Sequence, residues 1–299
     1  MPNTAHGAIS SDTGPTGTGT WRRLTREFRS NPIFVAALTT SMTFLVVALF
    51  AHALAPYPHE RLDLRNRVQA PSLETGFILG TDDLGRDVLS QMIYGVRTSL
   101  GIAGSAVLLA AFIGSLLGAF AGLFGGPFDA LLMRLVDMQL AIPAFFLALA
   151  GAVVLGRGVI PMMIVLALVS WAQFARVGRA SALAVREEPF VEAARGLGAG
   201  HARIALQHVL PNIAAPLLVV FSISLPHTIM VEASLSFVGM GLPASVPSLG
   251  SMINRGYSQL LTGAWWISIL PGVALMLLVL SINTITDALR DILDVKLTS

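Results

Sequence analysis

Long stretches without a charged side chain constrain the fold of this chain more than any other feature. Seven such stretches, each of 18 or more residues, occupy most of the sequence after residue 29. A helix needs about 20 predominantly apolar residues to cross the roughly 30 Å hydrocarbon core of a membrane while satisfying its own backbone hydrogen bonds. The stretches are residues 30–59, 98–128, 138–156, 158–175, 204–231, 233–254 and 256–286. We therefore expect most of this chain to lie inside a membrane.

Six of the seven stretches have the composition of spanning helices. The exception is 233–254, where glycines and prolines alternate with serines, a composition that interrupts helices. It is interpreted as a loop at or above the membrane face. The Gly156-Arg157-Gly158 sequence predicts a tight hairpin between two neighbouring spans. The expected spans are 33–55, 100–124, 138–156, 159–175, 213–231 and 265–286.

The distribution of lysine and arginine predicts the orientation of these spans. Basic residues favour the cytoplasmic side, above all next to the first span, and six crossings bring both termini to one side. The side of the termini carries Arg22, Arg23, Arg26, Arg29, Arg134, Arg176, Arg179, Arg186, Arg195, Arg203, Arg290 and Lys296. The other side carries Arg61, Arg65, Arg67, Arg86, Arg97, Arg157 and Arg255. Both termini are predicted to be cytoplasmic, in a multi-pass protein of the cytoplasmic (inner) membrane.

Composition narrows the chemistry that the chain can perform. Only 12% of residues are charged against 54% hydrophobic, and the mean hydropathy is +0.73. The absence of cysteine excludes disulfides and thiolate metal sites. Lys296 is the sole lysine and does not follow a glycine, so the phosphate-binding loop of a nucleotide hydrolase is absent. The chain is predicted to be no enzyme and to bind no metal, cofactor or nucleic acid. Energy must come from an ATP-hydrolysing partner or from an ion gradient.

The cytoplasmic segment 186–211, which we call the elbow, is too charged to enter lipid. Its first part predicts a short helix, with Pro189 in the first turn and glutamates near the N-terminus. Gly196, Gly198 and Gly200 break that helix. A second amphipathic helix is predicted from about residue 201 to residue 210, ending at Pro211. The two helices would form a compact projection from the membrane.

The elbow contains Glu192, Ala193 and Ala194, followed by Gly198, His208, Leu210 and Pro211. This pattern resembles the EAA loop of permeases in binding-protein-dependent ABC importers. In that family the loop docks in a cleft of the ATP-binding subunit, so the resemblance assigns these residues to coupling with an ATPase. Small alanines allow close approach, and a glycine permits a turn with positive φ. The alternative is that Glu-Ala-Ala is merely good helix composition.

Two further segments resemble one branch of that family. Residues 79–100, with Gly-Thr-Asp-Asp-Leu-Gly-Arg-Asp, are similar to the second of the two permeases of peptide and nickel importers. The segment from Glu232 to Gly241, with Trp265-Trp266 and Leu289-Arg290-Asp291, is similar to the same branch. Relatives often carry a histidine before the Leu-Gly-Thr-Asp and an arginine where this chain has Gln91. Asp82, Asp83, Arg86 and Asp87 either order their loop as an ionic network or touch an extracytoplasmic binding protein.

Polar residues within the fifth span indicate a candidate translocation path. Ser224, His227 and Thr228 share one helical face, and Glu232 closes its outer end. Polar side chains in a span usually face the protein interior or a wet cavity. They either line the path of the cargo, or His227 hydrogen-bonds to Glu232 or to a neighbouring helix as structural support.

The sequence thus predicts an all-α, polytopic membrane protein with six transmembrane helices, and the resemblance implies the type I ABC importer permease fold. The implied partners are a second homologous permease, two ATP-binding subunits that hold ATP and Mg²⁺, and an extracytoplasmic peptide-binding protein. The implied cargo is a dipeptide or oligopeptide; the alternatives are nickel and gradient-driven secondary transport. The expected divisions are a basic, disordered tail 1–32, a first span 33–55, an extracytoplasmic loop 56–98, a five-helix core 99–290 with coupling loop 186–211 and extracytoplasmic loop 233–264, and a cytoplasmic tail 291–299.

Overall fold

The computed structural model describes residues 31–200 and 203–294, which form helices joined by short turns and one extended loop. Within them the side chains of Arg195, Leu206, His208, Leu210 and residues 291–294 are not described. Most of the two predicted tails lies outside the described residues. The helices are α1 Pro32–Leu49, α2 Ala51–Leu54, α3 Val88–Phe124, α4 Gly126–Leu140, α5 Ala144–Leu155, α6 Val159–Arg186, α7 Pro189–Gly196, α8 Leu210–Phe237, α9 Leu249–Tyr257 and α10 Trp266–Asp294. Between the described residues 56 and 87 the chain forms a loop, which we call the cap, with a single isolated bridge between Thr81 and Asp87.

Five of the described helices, α1, α3, α6, α8 and α10, are long and apolar enough to cross a membrane. Helices α4 and α5, which meet at 97°, add a sixth crossing if the pair forms one broken span. Three contacts between α4 and α6 show that the two helices lie antiparallel. Asp129 pairs with Arg179, and Asp137 pairs with Arg176. The Gln139 amide donates to the carbonyls of Leu168 and Val169. Since α4 ascends along α6 before α5 begins, these contacts favour one broken crossing and six crossings in all.

The central contact of the fold is between α3 and α6, which approach each other almost backbone to backbone. Gly114, Gly118 and Gly122 follow one another every four residues on α3. A Cβ at Gly118 would lie 2.1 Å from the carbonyl oxygen of Ala175, and one at Gly114 would lie 2.3 Å from that of Trp171. Small residues at this spacing let membrane helices pack closely, where burial of apolar surface gives little driving force.

Three predicted boundaries do not coincide with the ends of the helices. The boundary at 98/99 falls inside α3, which begins at Val88 because the Asp87 side chain accepts a hydrogen bond from Ser90 N at 2.8 Å and caps the helix. The span 138–156 is two helices, since Pro143 follows a break and α5 has only 12 residues, about 18 Å. The first span is interrupted at Phe50, which separates α1 from α2.

The segment 233–264 is also more ordered than a loop. The end of α8 and all of α9 lie within it. Helix α9 forms because Ser248 and Ser251 make a reciprocal capping box, each side chain accepting a hydrogen bond from the other's backbone N–H. Ser248 and Ser251, which had indicated a loop, instead begin a helix, and Gly250 allows that helix to pack closely against the backbone of Ala233.

Candidate functional site

The elbow packs firmly on the ends of two central helices. Val191 of α7 is fully buried, as is Val209, and Ile204 and Ala205 are each 1% exposed. These side chains form one apolar cluster with Ala119, Leu123, Ala182 and Ile213 from α3, α6 and α8. A displacement of the elbow therefore acts directly on three of the crossing helices.

The turn that closes α7 depends on Gly198. Its φ is +85°, the left-handed region that favours glycine. The backbone N–H of Ala199 donates to the carbonyl of Ala194 at 3.0 Å, the bond of a glycine-terminated helix end. The predicted positive-φ turn at Gly198 is thus confirmed, and two members of the predicted set, Ala194 and Gly198, meet at this helix end.

The second helix of the elbow differs from the prediction. Residues Ile204–Val209 form a π-helical turn that continues directly into α8, so Pro211 lies in the first turn of α8 and does not end a separate helix. A proline is tolerated there because the first N–H groups of a helix have no intrahelical partner. The side chains of His208 and Leu210 lie outside the described residues.

The outer surface of the elbow carries exposed charge and apolar area. Glu192 and Ala193 are exposed, Phe190 is 43% exposed, and Leu197 is 90% exposed. Leu197 follows directly on α7 and reaches away from the buried cluster. The described surface of the elbow therefore presents both apolar side chains and an acidic one to its surroundings.

The predicted polar stripe of the fifth span is divided between the interior and the surface. Ser224 and Thr228 are buried, and the Thr228 hydroxyl lies 3.4 Å from that of Ser170 on α6. His227 is exposed and borders a small cavity of about 40 Å³. The other polar residues at this cavity are Gln139, Ser170, Gln173 and Ser224. The path-lining role remains a prediction for Ser224, His227 and Thr228.

Glu232 occupies a different environment from the one expected. It is fully buried, and its two carboxyl oxygens accept hydrogen bonds from Ser99 at 2.9 Å and Ser236 at 2.7 Å. The hydrogen bond predicted between His227 and Glu232 is not among these contacts, and the burial of Glu232 does not support a place on the cargo path. Ser99 and Ser236 were not predicted as partners of this carboxyl, although the four-residue spacing of Glu232 and Ser236 on one helix is a signal for their contact.

The cap is ordered by buried polar contacts. Asp82 and Arg86 form an ion pair at 2.7 Å, with side chains 5% and 7% exposed. Asp87 accepts from both the backbone and the hydroxyl of Ser90. The indole N–H of Trp266 donates to the carbonyl of Thr81 at 3.1 Å, which fixes the cap to α10. These contacts support the ordering role; contact with a binding protein remains a prediction.

Arg255, on α9, is a further charged residue near the cap. Burial lowers the pKa of the Arg255 guanidinium, and the nearby Arg86 lowers it further, while Asp82 and Asp83 act in the opposite direction. Arg255 therefore interacts electrostatically with charged residues of the cap. Among the described residues no group of three histidine, aspartate or glutamate side chains is arranged to hold a metal ion.

Comparison with known proteins gives matches over most of the chain. Residues 114–299 match the family described as binding-protein-dependent transport system inner membrane component. Residues 19–71 match the N-terminal TM domain of oligopeptide transport permease C.

Two curated relatives match nearly end to end. The dipeptide transport system permease protein DppC of Alkalihalophilus pseudofirmus is 36% identical over 284 residues, which cover 95% of this chain and 92% of the relative. The glutathione transport system permease protein GsiD of Escherichia coli O157:H7 is 37% identical over 278 residues, covering 93% and 91%.

A solved structure has a similar fold. It is the MetNI methionine ABC transporter in inward facing conformations, with a TM-score of 0.52 and 20% identity, covering 68% of this chain and 96% of that chain. The two proteins therefore share a helical arrangement over 68% of this chain.

Proposed function

The chain belongs to the family of binding-protein-dependent transport system inner membrane components, and from that premise we propose that it is the permease subunit of an ATP-driven importer of short peptides. The family assignment confirms the resemblance drawn from the elbow and from the segments at 79–100 and 232–291. The fold is that of an ABC importer permease, and the chain is a transport subunit rather than an enzyme.

The observation that carries the proposal is the position of the elbow. It projects from the ends of α3, α6 and α8, while its inner face is joined to them by a continuous apolar cluster. An ATP-binding subunit docked on Glu192, Ala193 and the exposed Leu197 would push on those helices as a unit. Closure of the ATPases would then convert the permease from an inward-open to an outward-open state, and hydrolysis would reset it.

The partners follow from the same proposal. Two ATP-binding subunits hold ATP and Mg²⁺, a second homologous permease completes the translocation path, and an extracytoplasmic binding protein delivers the cargo. The bias of basic residues supports a cytoplasmic position for the elbow and both termini. His227, which is exposed within the fifth span, would then face the second permease across the path.

The cargo is proposed from the relatives. One is named for dipeptide and one for glutathione, itself a short peptide, so a peptide cargo agrees with both. Peptides bring charged termini, and Gln173 and His227 at the small cavity carry polar groups that can hydrogen-bond to such termini.

The assay is uptake by proteoliposomes that contain the complete complex with its binding protein. We expect labelled dipeptide to accumulate when ATP is present inside the liposomes at the elbow face, and not when a proton gradient replaces ATP. Ni²⁺ supplied in place of dipeptide should not accumulate. Uptake driven by the gradient alone, or uptake of Ni²⁺ only, would refute the proposed function.

The elbow is tested in the same assay by two glycine substitutions. Gly198→Ala forces a side chain into a positive-φ position, a strain of about 1 kcal/mol or more, and should lower uptake per ATP hydrolysed. Gly200→Ala is the matched control, since a Cβ there meets no atom within 4 Å and no positive φ is required. Equal uptake by the two variants would exclude a coupling role for the Gly198 turn.

A further inference from the structure

The small cavity beside His227 lies at the break between α4 and α5. Ile142 and Ala144 line it from either side of Pro143. Its remaining polar walls come from the middle turns of α6 and α8. Helix α5 leads from this point to the hairpin at Arg157 in 12 residues, about 18 Å. That distance is about half of the hydrocarbon core, so the cavity lies inside the membrane.

The N-terminus of α5 meets this cavity without a cap. Ala144, the first residue of α5, lines the cavity, and no described side chain caps this helix end, where Pro143 is the N-cap residue. The first N–H groups of a helix have no intrahelical partner, and their partial positive charge attracts anions. At the end of α4, by contrast, two carbonyls already accept the N–H groups of Ala141 and Ile142. The break therefore favours negative charge in the cavity.

The hydroxyl of Ser224 is an independent sign of a ligand. Ser224 lines the cavity and is 3% exposed, and its Oγ has no hydrogen-bond partner among the described residues. A buried hydroxyl without a partner is destabilising, and such groups in native structures are usually satisfied by a water or a ligand. Ser222, on the same helix, instead donates to the carbonyl of Leu218 at 2.9 Å. Ser224 thus keeps a hydrogen bond that the protein itself does not use.

The other polar side chains of the cavity differ in the hydrogen bonds they have left. The Gln139 amide group donates to two carbonyls of α6, and its oxygen accepts the indole N–H of Trp171. Gln139 therefore holds the broken span to α6. Gln173 and His227 are exposed where the cavity opens. The groups available to a ligand are these two side chains, the Ser224 hydroxyl and the end of α5.

The sign and size of the ligand follow from this arrangement. Ser224, Gln173 and His227 can each hydrogen-bond to an anion or to a cation, so the N-terminus of α5 decides in favour of an anion. Arg176, three residues beyond Gln173, is paired with Asp137 at 2.7 Å, and this pair adds no net charge. The volume of about 40 Å³ admits about two or three water-sized groups. It fits the two oxygens of a carboxylate, but not a whole amino-acid residue.

Resting on the proposed function, we infer that the small cavity is a subsite for the carboxylate at the C-terminal end of a peptide in transit. Ser224 donates to the carboxylate inside the cavity, Gln173 and His227 contact it at the opening, and the N-terminus of α5 stabilises its charge. The rest of the peptide stays outside, in the translocation path. Because the subsite contacts only the terminal group, it serves peptides of different sequence.

The test is the protection of a thiol at the cavity. This chain has no cysteine, and Ile142 lines the cavity and is 46% exposed, so Ile142→Cys introduces the only thiol of the chain. Its modification by N-ethylmaleimide is followed by the mass of this chain, in the complex of both permeases with the ATP-binding subunits. Nucleotide and binding protein are left out, so that the permease alone selects the ligand.

Blocked peptides identify the group that binds. Saturating dipeptide should slow modification of the Ile142→Cys thiol on the order of fivefold. N-acetylated dipeptide keeps the carboxylate and should protect equally well. C-amidated dipeptide has lost the carboxylate and should not protect.

Ser224→Ala, combined with Ile142→Cys, tests the hydroxyl. The empty protein loses only an unpaired group, so its melting temperature should be unchanged or higher. The dipeptide concentration needed for protection should rise about tenfold or more, because a hydrogen bond to a charged group is lost. Ser222→Ala is the matched control, since its hydroxyl already donates to Leu218, and it should leave protection unchanged.

Four results would overturn the inference. C-amidated dipeptide could protect as well as the free acid, or Ser224→Ala could be protected at the same concentration as the parent. Ser224→Ala could lower the melting temperature, which would make the hydroxyl structural. No dipeptide could protect, in which case the cavity holds water alone. Each can occur while the complex imports dipeptide on ATP, and protection itself requires no ATP, so the inference and the proposed function fail separately.

Discussion

At the scale of single residues, the cap shows how charged side chains can order a loop beside a membrane. Asp82 accepts the backbone N–H groups of Leu84 and Arg86 at 2.9 Å each on one oxygen and the Arg86 guanidinium on the other. Both side chains are buried. Exposed ion pairs contribute little, but removing one partner of a buried pair leaves an uncompensated charge.

Arg86→Met is therefore expected to destabilise the protein strongly. The loss should be about 3–5 kcal/mol, because Asp82 would remain buried and charged. Adding Asp82→Asn should restore part of the loss, since the amide oxygen still accepts the two backbone N–H groups without a charge. The measurement is the thermal unfolding of the detergent-solubilised complex for the single and double variants.

Arg65→Met is the control for this pair, because Arg65 is an exposed arginine of the same cap. Its unfolding temperature should stay close to that of the unsubstituted protein. If Arg86→Met is no more destabilising than Arg65→Met, the ion pair does not order the cap, and the charges of this segment would be free for contact with a binding protein.

At the scale of elements, the sequence predicted the crossing helices well and their ends poorly. The length of a hydrophobic stretch identifies a span because lipid excludes unpaired backbone groups. It does not identify the start of α3, because that helix continues through Arg97 and begins after the N-cap residue Asp87, where a hydrogen bond sets the boundary. The elbow was found because its glycines interrupt helical composition. The contact between Ser99 and Glu232 was not predicted, since it joins residues 133 positions apart.

Three glycines of α3 recur every four residues in the sequence. Gly114, Gly118 and Gly122 lie against α6, whereas Gly104 on the same helix has no atom within 4 Å of a Cβ position. Sequence spacing indicates that a close contact exists, but it does not identify the helix that makes it.

Gly118→Val should separate α3 from α6 and destabilise the chain. Two extra methyl groups and a Cβ would meet the backbone of Ala175, and overpacking of this kind costs roughly 1–3 kcal/mol or more. Gly104→Val introduces the same side chain into open space and should be tolerated. The yield and melting temperature of the purified complex measure both variants, and equal values would show that α3 and α6 do not pack as described.

At the scale of the whole molecule, α3 separates the two surfaces that the proposed function uses. It has 37 residues, about 55 Å, which exceeds the thickness of the hydrocarbon core. The cap precedes its first residue, and Leu123 near its last turn packs against the elbow. The cap and the elbow therefore lie at opposite ends of one helix, and a membrane crossed by that helix must lie between them.

Impermeant maleimide should label the two ends of α3 from opposite sides of the membrane. Leu73→Cys and Leu197→Cys are suitable because these side chains are 83% and 90% exposed and no other cysteine competes. The cap thiol should react in intact cells, and the elbow thiol only in inside-out vesicles. Docked ATP-binding subunits should then shield the thiol introduced at Leu197 and leave the one at Leu73 unaffected, since only the elbow contacts them. Labelling of both positions from the same side would contradict the fold, and labelling of the elbow from outside the cell would remove the route by which ATP hydrolysis reaches the permease.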